Sequence, residues 1–326
     1  MMYLMIIAGF VFLLGGADVF VRGAVAVAGK LDVPPLVIGL TVVAFGTSAP
    51  ELLVSLDAAT AGSGSMALGN VVGSNIANLL LIVGAAALVK PIMVKPFALM
   101  RDTVMLVGGS LLFAWFSWHG EIGVMQGAVL LFALLVFLGS AYRREASGID
   151  PAAADLHIQE IEEYKGLRGS MWALWMTLLA GLAGLIFGAH LLVEGGVSVA
   201  REFGVAEEVI GLTVLAIGTS LPELAASVVA ALRGHSDVAI GNVVGSNMFN
   251  VLAVVGIVSM VTPLQAPSQI LEFDLWVMLA VTVVMIPYLL GGLRLGRGAA
   301  ILFLTAYTAY IFLQAYGVGG VLALIG

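Results

Sequence analysis

Two glutamates stand where the chain is otherwise almost wholly apolar: Glu51 within GLTVVAFGTSAPELLVSL (39–56) and Glu223 within GLTVLAIGTSLPELAASV (211–228). Hydroxyl and amide side chains gather beside each acid. Thr47 and Ser48 precede Glu51, and Ser55 lies one helical turn beyond it on the same face. Thr219 and Ser220 precede Glu223 in the same way. A second segment follows each acid, GNVVGSNIANLL (69–80) and GNVVGSNMFNVL (241–252). In it Ser74 and Asn78, and again Ser246 and Asn250, stand four residues apart and share a helical face. The inventory is carboxylates, hydroxyls, amide oxygens and backbone carbonyls. These are hard oxygen ligands, suited to Ca²⁺ and Na⁺ rather than to zinc, copper or iron. Two carboxylates balance one Ca²⁺ or two Na⁺. Bare in a low dielectric they are costly, so a protein built around them changes state readily only when cations neutralise the pair.

Such a cluster needs backbone that departs from a continuous helix. Pro50 has no N–H to give the Gly46 carbonyl, and Pro222 withholds one from Gly218, so the spacing predicts a broken helix at each motif. The neighbouring glycines ease local unwinding. Broken backbone at membrane depth is tolerated only where it is buried in protein or lines a wet cavity. On the facing segments, Gly69, Gly73, Gly241 and Gly245 are expected to leave room for close helix approach.

Composition places these motifs in a bilayer. The 326 residues are 61% hydrophobic and 10% charged, and the mean hydropathy is +1.12, against about 45–50% apolar and about 25% charged in ordinary soluble domains. Apolar stretches of roughly 20 residues recur along the chain, without the alternating strands of about 10 residues that a barrel needs. Ten spans are expected, at 3–21, 34–60, 67–89, 101–118, 122–141, 171–192, 206–232, 239–261, 273–291 and 299–317. The first is read as a span rather than a signal peptide, because it lacks a basic flank and a small-residue cleavage site, and its pattern recurs at 172–192.

The two motif copies are separated by 172 residues, and the same offset relates Gly16 to Gly188, Gly84 to Gly256, Pro91 to Pro263 and Asp102 to Asp274. The chain therefore divides into a first five-helix repeat (1–141), a polar connector (142–170) and a second repeat (171–326). Five is odd, so the copies must insert in opposite orientations. The fold class expected is an all-α membrane protein of ten transmembrane helices in two inverted five-helix repeats, with helices 2 and 7 broken. With the N-terminus outside, Arg22, Lys30, Lys90, Lys95, Arg101, Arg143, Arg144, Lys165, Arg168, Arg233, Arg294 and Arg297 all fall on the cytoplasmic side and only Arg201 opposite. Both termini are thus expected outside the cell (inner) membrane, with the connector cytoplasmic. The absence of cysteine excludes disulfides and thiolate metal sites, and the net charge of −7 offers no footprint for nucleic acid.

The paired G-T-S-x-P-E and G-N-x-x-G-S-N-x-x-N segments resemble the α-repeats of the cation/calcium antiporter superfamily, specifically its prokaryotic sodium/calcium exchanger branch. The resemblance covers essentially the whole chain. It implies Glu51 and Glu223 as central Ca²⁺ ligands, helped by the Thr47 and Thr219 carbonyls. It also implies flanking Na⁺ positions formed by the side chains of Ser48, Ser74, Ser220 and Ser246 with the Ala44 and Ala216 carbonyls. Asn78 and Asn250 would occupy the middle of the site, where some members carry Asp on the second-repeat side. Spans 1 and 6 are similar to a pair that slides past a rigid core during alternating access. The implied function is exchange of Ca²⁺ for Na⁺, with H⁺/Ca²⁺ or K⁺-dependent exchange as the alternative. Proton-coupled relatives often carry G-N-x-x-E where this chain has G-T-S-x-P-E, which favours sodium. No enzymatic activity and no cofactor is expected beyond the transported Ca²⁺ and Na⁺, and the lipid bilayer is the one partner implied.

Other polar residues read more plainly. Asn70 and Asn242 suit helix capping or helix–helix hydrogen bonding somewhat better than ion contact. Asp18 with Arg22, and His190 with Glu194, read as interfacial pairs four residues apart. Asp57 has Val229 as its counterpart and is not expected to bind an ion. The acidic stretch from Asp150 to Glu163 lacks EF-hand spacing and reads as a solvated connector. A membrane-embedded hydrolase would use paired carboxylates but would not need their oxygen-rich surroundings duplicated.

Overall fold

Long apolar runs free of interior proline become long helices, and the two prolines of the acid motifs become the breaks. The structure, a computed structural model, describes residues 2–31, 38–94, 99–146, 169–203 and 216–316. The first half holds α1 (Met2–Leu31), α2 (Ala44–Thr47), α3 (Ala49–Thr60), α4 (Gly64–Ala77), α5 (Val83–Val89), α6 (Met100–Trp118), a short strand β1 (Glu121–Ile122) and α7 (Val124–Ala146). The second holds α8 (Met171–Glu202), α9 (Ala216–Thr219), α10 (Leu221–Leu232), α11 (Ser236–Met248), α12 (Val255–Val261), β2 (Leu264–Gln265), α13 (Leu275–Leu290) and α14 (Arg297–Tyr316). Wide helical turns lead into α2 (Gly39–Val43) and α13 (Ile270–Asp274), and join α4 to α5 (Asn78–Ile82) and α11 to α12 (Phe249–Val254). Among the described residues, five helices are long and apolar enough to cross a membrane, or six with the pair Thr41–Thr47 and Ala49–Thr60, which bends by 42° at its break. The starts of expected spans 2 and 7, most of the connector and the C-terminal residues 317–326 lie outside the described residues.

The helices at the spans expected at 3–21 and 171–192 run beyond them, α1 to 30 and α8 to 32 residues. Charge hid their ends. Asp18 and Arg22 pair at 3.0 Å and His190 and Glu194 at 3.6 Å, each four residues apart, so these charges ride the helix instead of ending it. At 1.5 Å per residue such helices reach roughly 45 Å, well beyond a hydrocarbon core of about 30 Å. That length suits a helix that crosses a bilayer with tilt or projects from it.

These two helices lie at the periphery and the acid-facing helices lie at the centre. The apolar windows of α1 and α8 are 33% and 28% buried, whereas Gly64–Val89 and Ser236–Val261 are 78% and 89% buried. Exposed Leu4, Ile7, Phe10, Val11 and Leu14 on α1, and Trp172, Leu179 and Phe187 on α8, make a surface suited to lipid chains. Against each other the pair is tight. A Cβ on Gly181 would stand 2.3 Å from the Phe20 nitrogen, and one on Gly188 2.3 Å from the Leu13 nitrogen. Glycine therefore lets the two backbones touch directly along an antiparallel seam.

The central glycines of the two copies differ. Among the described residues, a Cβ on Gly69 or Gly73 would meet no heavy atom within 4 Å; their counterparts Gly241 and Gly245 are buried. At the ends, the connections fall into two groups. Residues 121–122 pair antiparallel with 264–265, a two-residue ladder that departs from a purely all-α fold. At the opposite end Ile92 and Leu295 exchange backbone hydrogen bonds of 3.1 and 2.8 Å, and the Lys90 ammonium lies against Gly234. Ile92 and Leu264 are themselves 172 residues apart. The turns after α3 and α10 also match: Gly62 and Gly234 adopt φ of 83° and 91°, and Ser63 and His235 each donate back to the carbonyl five residues earlier at 2.8 Å. Only glycine takes that left-handed step without strain.

Candidate cation site

Each acid enters through a break in its helix. The α2 helix stops at Thr47, Ser48 turns with φ −83° and ψ 3°, and α3 restarts at Ala49 with Pro50 in its first turn. The second copy repeats this, with Ser220 at φ −87° and ψ 3° between α9 and α10. Proline fits there because first-turn nitrogens lack intrahelical acceptors anyway. Glu51 and Glu223 therefore fall in the first turns of α3 and α10, where the positive end of the helix dipole favours negative charge. The breaks differ in closure. The Ser48 N–H donates to the Ala44 carbonyl at 3.0 Å, whereas the Ser220 N–H donates to the Ile217 carbonyl at 3.1 Å. Ala44 also accepts from the Thr47 hydroxyl at 3.4 Å.

The two breaks meet. Ser48 donates to Glu223 Oε1 at 3.1 Å, and Ser220 donates to Glu51 Oε1 at 3.4 Å. Thr47 reaches Asn242 Oδ1 at 3.1 Å. Both acids are 1% exposed, and the Oε2 atom of each has no hydrogen-bond partner. Ser74, Asn78, Ser246 and Asn250 are buried too. The Ser246 hydroxyl, Asn78 Oδ1 and both polar atoms of the Asn250 amide are likewise unpartnered. Among the described residues, every buried side-chain oxygen without a partner belongs to these motif residues except Thr103 Oγ1. Each such atom costs about 1–3 kcal/mol if nothing satisfies it, and five of these oxygens fall in one duplicated motif. No group of three or more His, Cys, Asp or Glu that could hold a metal ion occurs among the described residues.

Asn70 and Asn242 take the structural part expected of them. Asn70 donates to the Ser55 hydroxyl at 2.9 Å and to the Glu51 carbonyl at 3.3 Å. Asn242 donates to Ser227 at 2.9 Å and to the Glu223 carbonyl at 3.4 Å. They lash each acid-bearing helix to its neighbour. Thr219 ends α9 as Thr47 ends α2, and Ala216 opens α9 as Ala44 opens α2. Asp57 is exposed on α3. Two features escape the sequence reading. Asn247, inside the G-S-N motif, accepts from the Asn78 amide, whereas Asn75 donates to the Val71 carbonyl of its own helix. Arg233, at the end of α10, forms an ion pair with Asp18 of α1; its first-copy counterpart is Ala61, so the repeat gave no warning.

The sodium/calcium exchanger protein family matches residues 1–143 and 173–316. The chain belongs to that family. Among curated members of comparable length, the putative antiporter CaxA of Alkalimonas amylolytica is 40% identical over 294 residues, covering 90% of each chain. The sodium/calcium exchanger MaX1 of Methanosarcina acetivorans is 32% identical, covering 96% of this chain and 98% of its own. The inner membrane protein YrbG of Escherichia coli is 33% identical, covering 86% of each. A solved structure of the sodium-calcium exchanger NCX_Mj superposes with a TM-score of 0.82 at 29% identity, covering 95% of this chain and 97% of the other. Family membership accounts for the nearly all-helical membrane fold and for a transporter rather than an enzyme.

Proposed function

We propose that this exchanger moves Ca²⁺ across the cell membrane in exchange for Na⁺ by alternating access around the paired glutamates. The observation that carries the reading is the set of unpartnered buried oxygens on Glu51, Glu223, Asn78, Asn250 and Ser246. Glu51 and Glu223 share one Ca²⁺, with the Thr47 and Thr219 carbonyls completing its shell. Ser48, Ser74, Ser220 and Ser246, with the Ala44 and Ala216 carbonyls, hold Na⁺ on either side, and Asn78 and Asn250 occupy the centre. Two charges on Ca²⁺, or those of the entering Na⁺, neutralise the two carboxylates, and that neutralisation lowers the cost of passing the site from one side to the other.

Ten spans in two inverted repeats suit this task. Support comes from hydrogen bonds, turns and end contacts that recur 172 residues apart. Equivalent faces are nevertheless unequal, with Gly69 exposed and Gly241 buried, as expected when two equivalent halves hold opposite conformations in one state of a cycle. The glycine seam of α1 and α8, two peripheral helices in backbone contact, fits a pair that moves as a body past the core. The name of YrbG supports an inner-membrane location, and the basic residues support external termini and a cytoplasmic connector.

Reconstituted protein decides the function. Proteoliposomes loaded with Na⁺ should take up radiolabelled Ca²⁺ from a Na⁺-free medium, and equal external Na⁺ should abolish uptake. Uptake driven by a pH gradient but not by outward Na⁺, or absent until K⁺ is added, would replace the sodium reading. Flux indifferent to the ion inside would make the protein a passive channel.

A further inference from the structure

The Asn78 amide is held with its oxygen free, and the residue that holds it lies in the other repeat. Asn247 Nδ2 donates to the backbone carbonyl of Asn75 at 3.4 Å. A carbonyl only accepts, so the Asn247 atom facing it is the NH₂ group, and Oδ1 must face the other way. That oxygen receives Asn78 Nδ2 at 2.9 Å. The NH₂ of Asn78 is thereby engaged, and its Oδ1 is the atom left buried and unpartnered. The polarity of the chain is fixed at one end by a main-chain atom and delivered at the other as an acceptor.

The equivalent chain is broken. Asn75, the counterpart of Asn247, turns its NH₂ to its own helix and donates to the Val71 carbonyl at 2.7 Å. Asn250, the counterpart of Asn78, consequently has no partner at either polar atom and is 0% exposed. One central amide is anchored as an acceptor. The other is free to turn.

We infer that Asn247 is a positioning residue: by accepting from Asn78 it fixes the Asn78 carbonyl oxygen toward the bound cations and so sets cation affinity without touching them. The inference rests on the cation site proposed above and adds to it a residue outside the ligand set.

A double-substitution cycle tests it. Wild type, Asn78→Ala, Asn247→Ala and the double variant are compared for half-saturating Ca²⁺ and Na⁺ and for maximal Ca²⁺ flux in proteoliposomes, and for equilibrium Ca²⁺ binding. Loss of one oriented amide oxygen should raise the half-saturating cation concentration roughly five- to tenfold, with maximal flux much less affected. The double variant should be no worse than Asn78→Ala alone. If Asn247→Ala multiplies the half-saturating concentration equally with Asn78 present or absent, or leaves it at the wild-type value, the positioning role is overturned. Should Asn247→Ala not fold, Asn247→Ser, which shortens the reach to Asn78, takes its place in the cycle. A wild type that binds Ca²⁺ yet shows no Na⁺-driven flux refutes the exchange reading alone, and the binding arm of the cycle then decides the role of Asn247.

Discussion

At the scale of the residue, the site is defined by atoms that lack something. Glu51 and Glu223 each have one carboxylate oxygen hydrogen-bonded across the repeat and one with no partner. Their worth therefore lies in charge, since a serine can donate to an amide oxygen equally well. Glu51→Gln and Glu223→Gln should each reduce Na⁺-driven Ca²⁺ uptake to the level of empty liposomes. Neither should lower the thermal unfolding midpoint, because a buried neutral amide is cheaper than a buried carboxylate. Normal flux in either variant would remove that glutamate from the site. That the acids, the four motif serines and the amides of Asn78 and Asn250 are buried was legible in the sequence, because each is a polar residue repeated inside an apolar span. Asn247 was not. Its part depends on a main-chain carbonyl in the other half of the molecule, and spacing along one helix carries no information about that.

At the scale of the element, helix ends and helix contacts were the least readable. Charges at Asp18, Arg22, His190 and Glu194 made α1 and α8 look a third shorter than they are, since pattern alone does not show that opposite charges are paired along the helix. The glycine seam was equally hidden. Gly15 and Gly16 are adjacent in sequence, yet a Cβ on Gly15 would meet nothing within 4 Å, whereas one on Gly16 would lie 2.6 Å from the Leu185 nitrogen. This contrast yields a stability prediction. Gly181→Ala drives a methyl into the Phe20 backbone and should lower the unfolding free energy by about 1–3 kcal/mol; Gly15→Ala should be neutral or slightly stabilising, as alanine favours helix. Thermal denaturation in detergent compares them, and equal midpoints would show that the seam is not a tight backbone contact. Among the described residues, a Cβ on the motif glycines Gly69 and Gly73 would meet nothing within 4 Å.

At the scale of the whole molecule, the orientation proposed from the basic residues puts the two groups of end contacts on opposite sides of the membrane. The chain has no cysteine, so single cysteines report without background. Glu121→Cys, beside the short ladder, should react in intact cells with a thiol reagent that does not cross membranes, and Arg294→Cys should react only after the membrane is opened. Labelling of both from one side would defeat the inverted topology. The same scale gives the crossed serine–glutamate bonds a meaning beyond ion binding. Ser48 holds Glu223 while Ser220 holds Glu51, which is the contact rule of an isologous two-fold dimer: residue i meets j, and j meets i. A single copy carries one half of each bond and cannot complete either alone. An ancestor of one repeat would have closed its cage only against another copy of itself, so joining the two into one chain changed the concentration of partner each half sees without requiring any new contact.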